Sequence, residues 1–510
     1  MAWLDSPVIE LGFSLIFLWI IYRFVTKNKS KSDKGELGLP PGPRPWPLVG
    51  NLYLLGSLPH KALAKLATKY GPIMFLRLGS VPTVVVSSPA MAKEFLKTHD
   101  LIFANRPPTS AGKYMAYGNR DVAQAPYGEY WRQIRKLCTI ELLSAKRTES
   151  FRWVREEEVS AMVRSVREET QHGMRFVNLR KHICSVLLNT VCRMFAGRSY
   201  SEHQLSRGQE FSQMVAEMMH LAGVIVPGDF VPSLAFLDLG GYCRRMQAIS
   251  KVFDEFAEKL IDEHIQRRRT KKSEEPDIVD VMLDMAEIGS AEIQVSRVHI
   301  KAIIMDMLIA GVETSTTTIE WAMTELLRNP QAMSKAQQEI ELKVGKDRIV
   351  RESDLANLDY LRCVVKETLR LHAPAPLLMA HESTQGCNVG GYHIPPKTRL
   401  FVNVWAIGRD ERVWEDPLEF KPERFTDSSI DVNGHHFELL SFGTGRRGCP
   451  GIYMGLSSVY LVLAQLIHCF HWNVEGDLDR EEMFGLTLPK KFPISAFPSW
   501  RLTIDDPPKC

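Results

Sequence analysis

The chain has 510 residues, 45% of them hydrophobic, and its 63 Lys and Arg against 60 Asp and Glu leave a net charge of +3. That balance supplies apolar surface for a large buried core and excludes a global electrostatic attraction to nucleic acid. Nine cysteines, odd in number and without a C-x-x-C pair, argue against a zinc site and for reduced thiols in the cytosol.

At about 150 residues per domain the length predicts roughly three domains, although no long Gly/Ser or Pro linker divides the body. Residues 1–26 read as a transmembrane anchor. From Pro7 to Val25 the chain is mostly apolar, with Glu10 and Arg23 near the two ends, long enough to cross a bilayer. Lys27, Lys29, Lys31 and Lys34 follow, which leaves the rest of the chain in the cytosol. A cleaved signal peptide fits less well, because the positive charge comes after the apolar run and no A-x-A-like site is present. Residues 27–51 form a basic and proline-rich hinge. Pro41, Pro43, Pro45 and Pro47 forbid helix and favour a stiff extended form, either a plain linker or a rigid hinge that sets the body's attitude on the membrane.

Residues 73–78 and 83–87 read as a strand pair joined through Gly79. Helical periodicity then dominates, over 159–169, 209–221, 246–269, 297–328, 330–344 and 360–371, and a second β-rich zone covers 390–403. The pattern is mainly helical with a small segregated sheet, α+β and not alternating βα. The basic run 267–272 closes a long helix, where positive charge complements the macrodipole, and reads as a solvated helix end.

Several positions break the rules of a stability-driven fold. The centre of the 297–328 helix reads Ala310-Gly311-Val312-Glu313-Thr314. Glycine is unfavourable mid-helix, and the Ser/Thr run after it competes for backbone carbonyls. A small residue followed by an acid and an alcohol suits a groove that admits a diatomic ligand and relays protons; a helix bent for packing would read the same. Glu367 and Arg370 sit at i,i+3 and can pair, and Arg424 could share the acid. A surface ion pair is the ordinary alternative. Trp131 and Arg135 share one helical face at i,i+4. His372 reads as structural.

The densest signal is the ten-residue stretch Phe442 to Gly451, with Gly443, Gly445 and Gly448 and a single cysteine, Cys449, two residues after Arg447. Glycines allow a tight turn around the sulfur, and Pro450 suits the first position of the apolar helix that follows, placing Cys449 at its positive end. This is a good design for a thiolate ligand to haem iron. Arg447 could neutralise one haem propionate and Arg135 a second, with Trp131 as a further donor. The same glycines match a dinucleotide fingerprint after a strand-like stretch at 437–440, but the chain that remains is too short for a doubly wound sheet.

The Cys449 loop, the Ala310–Thr314 groove, Glu367 and Arg370, the 422–425 stretch, Trp131 and Arg135, and the proline hinge together resemble the cytochrome P450 family, in that family's chain order. Phe442, Gly445, Arg447, Cys449 and Gly451 fit its most specific element. The anchor, the hinge, the A-G-x-E-T element and the 404–410 stretch resemble plant microsomal members of specialised (secondary) metabolism. The resemblance implies one triangular helical domain with small β-sheets over 52–510, which overrides the three-domain expectation. It implies haem b between the 297–328 helix and the Cys449 helix, with Cys449 as axial ligand. It implies hydroxylation with O2, with Thr314 and Glu313 steering protons. The electrons would come from NADPH through a separate membrane-bound reductase, which could dock on a positive face near Arg132, Lys136 and the Cys449 loop. The setting implied is single-pass in the endoplasmic reticulum membrane, with the catalytic domain in the cytosol.

The resemblance also implies a pocket lined by Met115, Val224, Ile225, Ala310, Leu377, Leu378, Phe484 and Leu486, with 377–379 as a strand. Its apolar character predicts a hydrophobic small-molecule substrate, terpenoid, phenolic or flavonoid. Two rivals are a reductase-independent haem-thiolate isomerase or dehydratase acting on hydroperoxides, and a non-catalytic haem- or lipid-binding membrane protein. The acid–alcohol pair at Glu313 and Thr314 argues against both.

Overall fold

The structure is a computed structural model that describes residues 37–171, 176–200, 210–270, 276–288, 294–476 and 478–504. The anchor expected over 1–26 and the basic start of the hinge lie outside these residues. So do the first residue of the helix expected over 209–221 and the last six residues of the body.

Helix α1 (Pro59–Tyr70) leads into β1 (Ile73–Leu78) and β2 (Val81–Val86), which pair antiparallel from Ile73 opposite Val86 to Leu78 opposite Val81. Val84, Val85 and Val86 are all buried, the β-branched run expected of a strand covered on both faces. The proline-rich segment is part of this unit and not a free linker. Phe75 donates its N–H to the Pro41 carbonyl at 2.9 Å, and Gly50 bridges to Leu78. A Cβ on Gly42 would lie 1.9 Å from the Phe75 carbonyl oxygen, so only glycine permits that approach.

The helices that build the interior follow: α2 (Glu129–Leu137), α3 (Arg152–Gln171), α4 (Leu179–Ala196), α5 (Phe211–Gly223), α6 (Tyr242–Thr270), α7 (Arg297–Arg328), α8 (Pro330–Val344), α9 (Asp359–Leu371) and α10 (Ile452–Cys469). Short β3 (Val177–Asn178) precedes α4. After α9 come β4 (His381–Glu382), the hairpin β5 (Cys387–Val389) and β6 (Tyr392–Ile394), and β7 (Arg399–Val402); β8 (Phe470–Asn473) and β9 (Ser495–Trp500) follow α10. The largest sheet has the order β1-β2-β7-β4, with β7 parallel to β2 and β4 antiparallel to β7. A second sheet has the order β3-β9-β8.

Helix α7 is the axis of the molecule. Ser296 caps its start, with His299 Nδ1 accepting the Ser296 N–H at 2.9 Å. Asn329 ends it because Pro330 disfavours helix in the residue before it and opens α8. Its 32 residues span about 48 Å and pack against α4, α9 and α10. By length and composition α7 and α10 could each cross a membrane, but 61% of each apolar window is buried inside the fold, as core helices are.

Three local expectations are corrected. Residues 437–440 form turns, not a strand. Phe437 and Leu440 are buried against the β1–β2 side while Leu439 enters the helical core, so their apolar pattern reflects anchoring without a strand partner. Residues 377–379 are likewise irregular, and Leu378 sits at φ +53°, in the left-handed region and incompatible with a strand. Pro450 is not the first residue of α10: the helix starts at Ile452 with Gly451 as its N-cap, so Cys449 precedes the cap by two residues.

Candidate active site

The Cys449 loop is closed by its own backbone, with the Cys449 N–H donating to the Phe442 carbonyl at 2.9 Å. Gly445 turns it at φ +67°, where an added Cβ would meet the Leu96 carbonyl oxygen at 2.8 Å. Ser441 Oγ donates to the Leu369 carbonyl at 2.8 Å, tying the loop to the end of α9. Cys449 borders a half-open cleft of about 290 Å³ lined also by Arg135, Phe442, Gly443, Gly445 and Ile452. The cysteine has surface accessible from this side, yet its thiol is enclosed enough that burial pushes its pKa up, opposed by the Gly451 N–H and the Arg135 charge. Both opposing groups favour a sulfur anion.

Around this loop the fold gathers cationic groups. Trp131 Nε1 donates to the Val122 carbonyl at 3.1 Å, and Arg135, one turn further along α2, donates to the Gly448 carbonyl. The Arg447 guanidinium stacks on the Trp131 ring, 4.0 Å from its centroid, and donates to the carbonyls of Ala104 at 2.7 Å and Ala125 at 2.6 Å. Arg106 donates to the carbonyls of Ala123 at 3.1 Å and of Met379 and Ala380 at 2.8 Å each. Burial, and then the charges of Arg106 and Arg135, bring Arg447 down to about 9. Burial also brings Arg106 down to about 10, against the pull of Asp121 and with the push of Arg135.

The chemistry of this donor set fits haem. A thiolate-stabilising loop stands beside three mutually repelling guanidinium groups whose bonds above go to backbone carbonyls, an arrangement suited to a group carrying two carboxylates.

On α7 the Thr314 hydroxyl donates to the Ala310 carbonyl at 2.6 Å, and Thr316 and Thr318 bond back one turn in the same way, at 2.8 Å each. This is the hydroxyl competition expected of a Thr-rich helix. Asp306, Ala310 and Thr314, spaced by four residues on one face, all keep accessible surface in a helix otherwise largely buried. Glu313 points elsewhere: Arg180 of α4 pairs with it at 2.5 Å and Thr487 Oγ1 donates to it at 3.3 Å. The other arm of Arg180 holds buried Glu320 at 2.7 Å.

Glu367, Arg370 and Arg424 come together. Arg370 forks onto both Glu367 oxygens at 2.7 Å, and Arg424 Nε reaches the same carboxylate at 3.2 Å. Arg370 also donates to the carbonyls of Gly408 at 2.5 Å and Pro417 at 2.7 Å, so this trio, with Glu367 and Arg370 fully buried and Arg424 half-buried, knits α9 to the 408–424 segment. His372 is structural, bonded to Glu325 at 2.8 Å and stacked on Trp321 with ring centroids 4.0 Å apart.

The expected pocket residues divide among different neighbourhoods. Met115 is buried in the helical core with Val224 packed on its edge, Leu377 lies with β1 and β2, and Leu378 packs with the 437–440 turns. Ile225 is 40% exposed, and Phe484 stacks against His60. Gly223 meets Leu486 closely: a Cβ there would lie 1.9 Å from the Leu486 nitrogen, which brings the end of α5 against the 484–488 turn. Sequence reasoning missed Arg106, Arg180, Thr487, Asp121 and Asp306. For Arg106 a signal existed in its place before Pro107; the others carry no local signature.

The family profile described as Cytochrome P450 matches residues 40–494. The chain is 49% identical to Cytochrome P450 750A1 of Pinus taeda, covering 99% of this chain and 97% of that one. It is 42% identical to Flavonoid 3'-monooxygenase of Arabidopsis thaliana, over 95% and 96% of the two chains. A solved zebra fish cytochrome P450 with progesterone superposes with a TM-score of 0.73 at 26% identity, covering 86% of this chain and 99% of that one. The chain therefore belongs to the cytochrome P450 family: it is a monooxygenase of the plant type that uses haem and O2, takes its electrons from a redox partner and acts on a small molecule.

Proposed function

We propose that the protein hydroxylates a hydrophobic small molecule of plant specialised metabolism, of flavonoid, phenolic or terpenoid type. In this reading a separate NADPH-dependent reductase supplies the electrons, and the 1–26 segment anchors the body in the endoplasmic reticulum membrane with its catalytic domain in the cytosol. When bound, haem held by a thiolate activates O2 so that one oxygen atom enters a C–H bond of the substrate and the other leaves as water, with two electrons and two protons consumed. The observation that carries the reading is the Cys449 loop, with the Gly451 N–H and the nearby Arg135 charge favouring a sulfur anion, beside the cluster of Arg106, Arg447 and Trp131.

The chain's own residues have distinct tasks. Cys449 supplies the anionic sulfur, and Phe442, Gly445 and Gly451 shape the turn around it. Arg447 and Arg135 would pair with the cofactor's carboxylates, and Trp131, its N–H held by the Val122 carbonyl, would support Arg447 through its ring. Thr314 Oγ1 carries a proton toward the reacting oxygen and Glu313 replenishes it, leaving Arg180 to do so. Glu367, Arg370 and Arg424 hold the backbone beneath the Cys449 loop in place. Exposed Arg132 and Lys136 on α2 offer the reductase a positive landing surface near Arg135. Met115, Val224, Ile225, Ala310, Leu377, Leu378, Phe484 and Leu486 give substrate an apolar lining. The relative named as a flavonoid 3'-monooxygenase makes flavonoids the first class to examine.

The test is a spin-state titration of the haem-loaded protein with flavonoids, simple phenolics and terpenoids. It is followed by NADPH-dependent oxygen consumption with a plant reductase for each compound that shifts the spectrum. Hydroxylated product that needs both NADPH and reductase supports the proposal. Product from a hydroperoxide without either would replace it with the isomerase reading.

A further inference from the structure

Two carboxyl groups of this chain meet where neither has a role in the chemistry above. Asp121 lies in the turn between the 110–114 helical turn and α2, and Asp306 lies on α7, two helical turns before Thr314 on the same face. Amides of one short turn hold both carboxyls, Val122 that of Asp306 and Gln124 that of Asp121, which brings the two acids together. Two carboxylates can only accept, so neighbouring buried acids are reconciled when one of them carries a proton.

The backbone around the pair is arranged in two layers. On one side the amide N–H groups of the turn donate to the acids: Val122 to Asp306 Oδ2 at 2.7 Å, and Gln124 to the two Asp121 oxygens at 3.0 and 3.1 Å. On the other side the carbonyls of the same turn hold the cationic cluster. Val122 accepts from Trp131, Ala123 from Arg106, and Ala125 from Arg447. A five-residue turn thus transmits position from the acid pair to the guanidinium two residues before Cys449.

We propose that Asp121 and Asp306 share a single proton at neutral pH and act as positioning residues, pinning the 121–125 turn to α7 so that its carbonyls hold Arg106, Trp131 and Arg447 in place. The geometry stands without the haem reading; only the consequence for the cofactor edge rests on it.

The charges facing the pair are consistent with one proton and one negative charge. Arg106 and Arg447 look onto Asp121 from the loops on either side, which favours its ionised form. Tyr130 on α2 and Cys138 just beyond it face the acids as neutral groups held well above their ordinary values, burial being the main cause. Arg120, within the turn, also faces His299 on α7, which burial and Arg120 together keep neutral. Asp121 is 3% exposed, and Asp306, though it keeps some accessible surface, lies deep enough that burial is the main force lifting it, with the Asp121 charge next. Like charges in one buried site cannot both ionise cheaply.

The experiment uses the full-length, haem-loaded protein and two readouts that do not depend on turnover or substrate, so its failure is separate from failure of the proposed reaction. In infrared spectra at neutral pH, the C=O stretch of an un-ionised carboxyl is expected in the parent and lost in both Asp306→Asn and Asp121→Asn, where the amide donates to the remaining carboxylate. In hydrogen–deuterium exchange, Asp306→Ala is expected to speed exchange of the 121–125 amides by about tenfold or more, while Asp306→Asn, which still accepts from Val122, stays within about threefold of the parent. Identical carboxyl spectra for the parent and the two Asn variants would overturn the shared proton. Equal exchange in the Ala and Asn variants would overturn the positioning role. If Asp306→Ala does not fold, the infrared comparison decides alone.

Discussion

Arg180 holds Glu313 at 2.5 Å with one arm of its guanidinium and Glu320 at 2.7 Å with the other. Glu320 is fully buried, and burial pushes its carboxyl up even though Arg180 pulls it down. Arg180→Ala therefore removes the partner of a buried acid and is expected to destabilise the protein by about 3 kcal/mol. Arg180→Ala combined with Glu320→Gln should recover most of that loss. Urea unfolding measures both. A single variant as stable as the parent would show that the pair contributes nothing.

Thr314 is the second position with a sharp expectation. Its hydroxyl already makes one bond, to the Ala310 carbonyl, so Thr314→Ala removes a proton carrier without disturbing the helix. The variant should keep its haem and still consume NADPH, while product formed per electron falls by about tenfold and peroxide rises to match. Thr314→Ser should restore most of the coupling. Parallel assays of peroxide and product check this, and unchanged coupling in the Ala variant would remove Thr314 from the proton path.

The Glu367–Arg370 pair, buried and backed by Arg424, predicts a loss of cofactor retention by substitution far from the sulfur. Arg370→Lys keeps the charge but cannot fork onto both Glu367 oxygens while also reaching the Gly408 and Pro417 carbonyls. It is expected to cost about 3 kcal/mol and to lower the haem content of the purified protein. Haem per polypeptide and the unfolding midpoint report the two effects, and full haem content at parental stability would refute them.

Much of this site was legible because its signals are local. The limits of the 297–328 helix follow from Ser296 before it and Asn329-Pro330 after it, and the glycines around Cys449 declare a tight turn by themselves. The pairing of Glu367 with Arg370 needed only helical spacing. What stayed hidden depends on distant partners: Asp121 meets Asp306 and Arg180 meets Glu313 through tertiary packing alone. The strands expected at 377–379 and 437–440 failed for a related reason. Their apolar residues are buried as single anchors in different clusters, without a neighbouring strand to pair with. Pro450 suited a helix start, but the chain needs Gly451 as cap before α10 can begin at Ile452.

Acid stability offers a further check. Burial pushes the Glu325 carboxyl up, but the hydrogen bonds and charges of His372 and Arg480 outweigh it and bring it down to about 2. A folded value below the ordinary 4.5 means that the stabilisation is present above about pH 4.5 and is lost as the pH falls through about 2. Glu325→Gln should therefore cost about 3 kcal/mol at neutral pH and progressively less as the solution is acidified. Chemical unfolding along a pH series tests this, and a penalty that does not shrink in acid would assign the effect to packing.

The central claim is that the sulfur of Cys449 holds the haem iron. Cys449→Ser should be purified beside the parent, reduced and exposed to carbon monoxide. The account predicts that the parent shows the long-wavelength Soret band of a thiolate-ligated haem, and that the serine variant lacks it and does not turn over. A serine variant that keeps both the band and the turnover would contradict the account at its root.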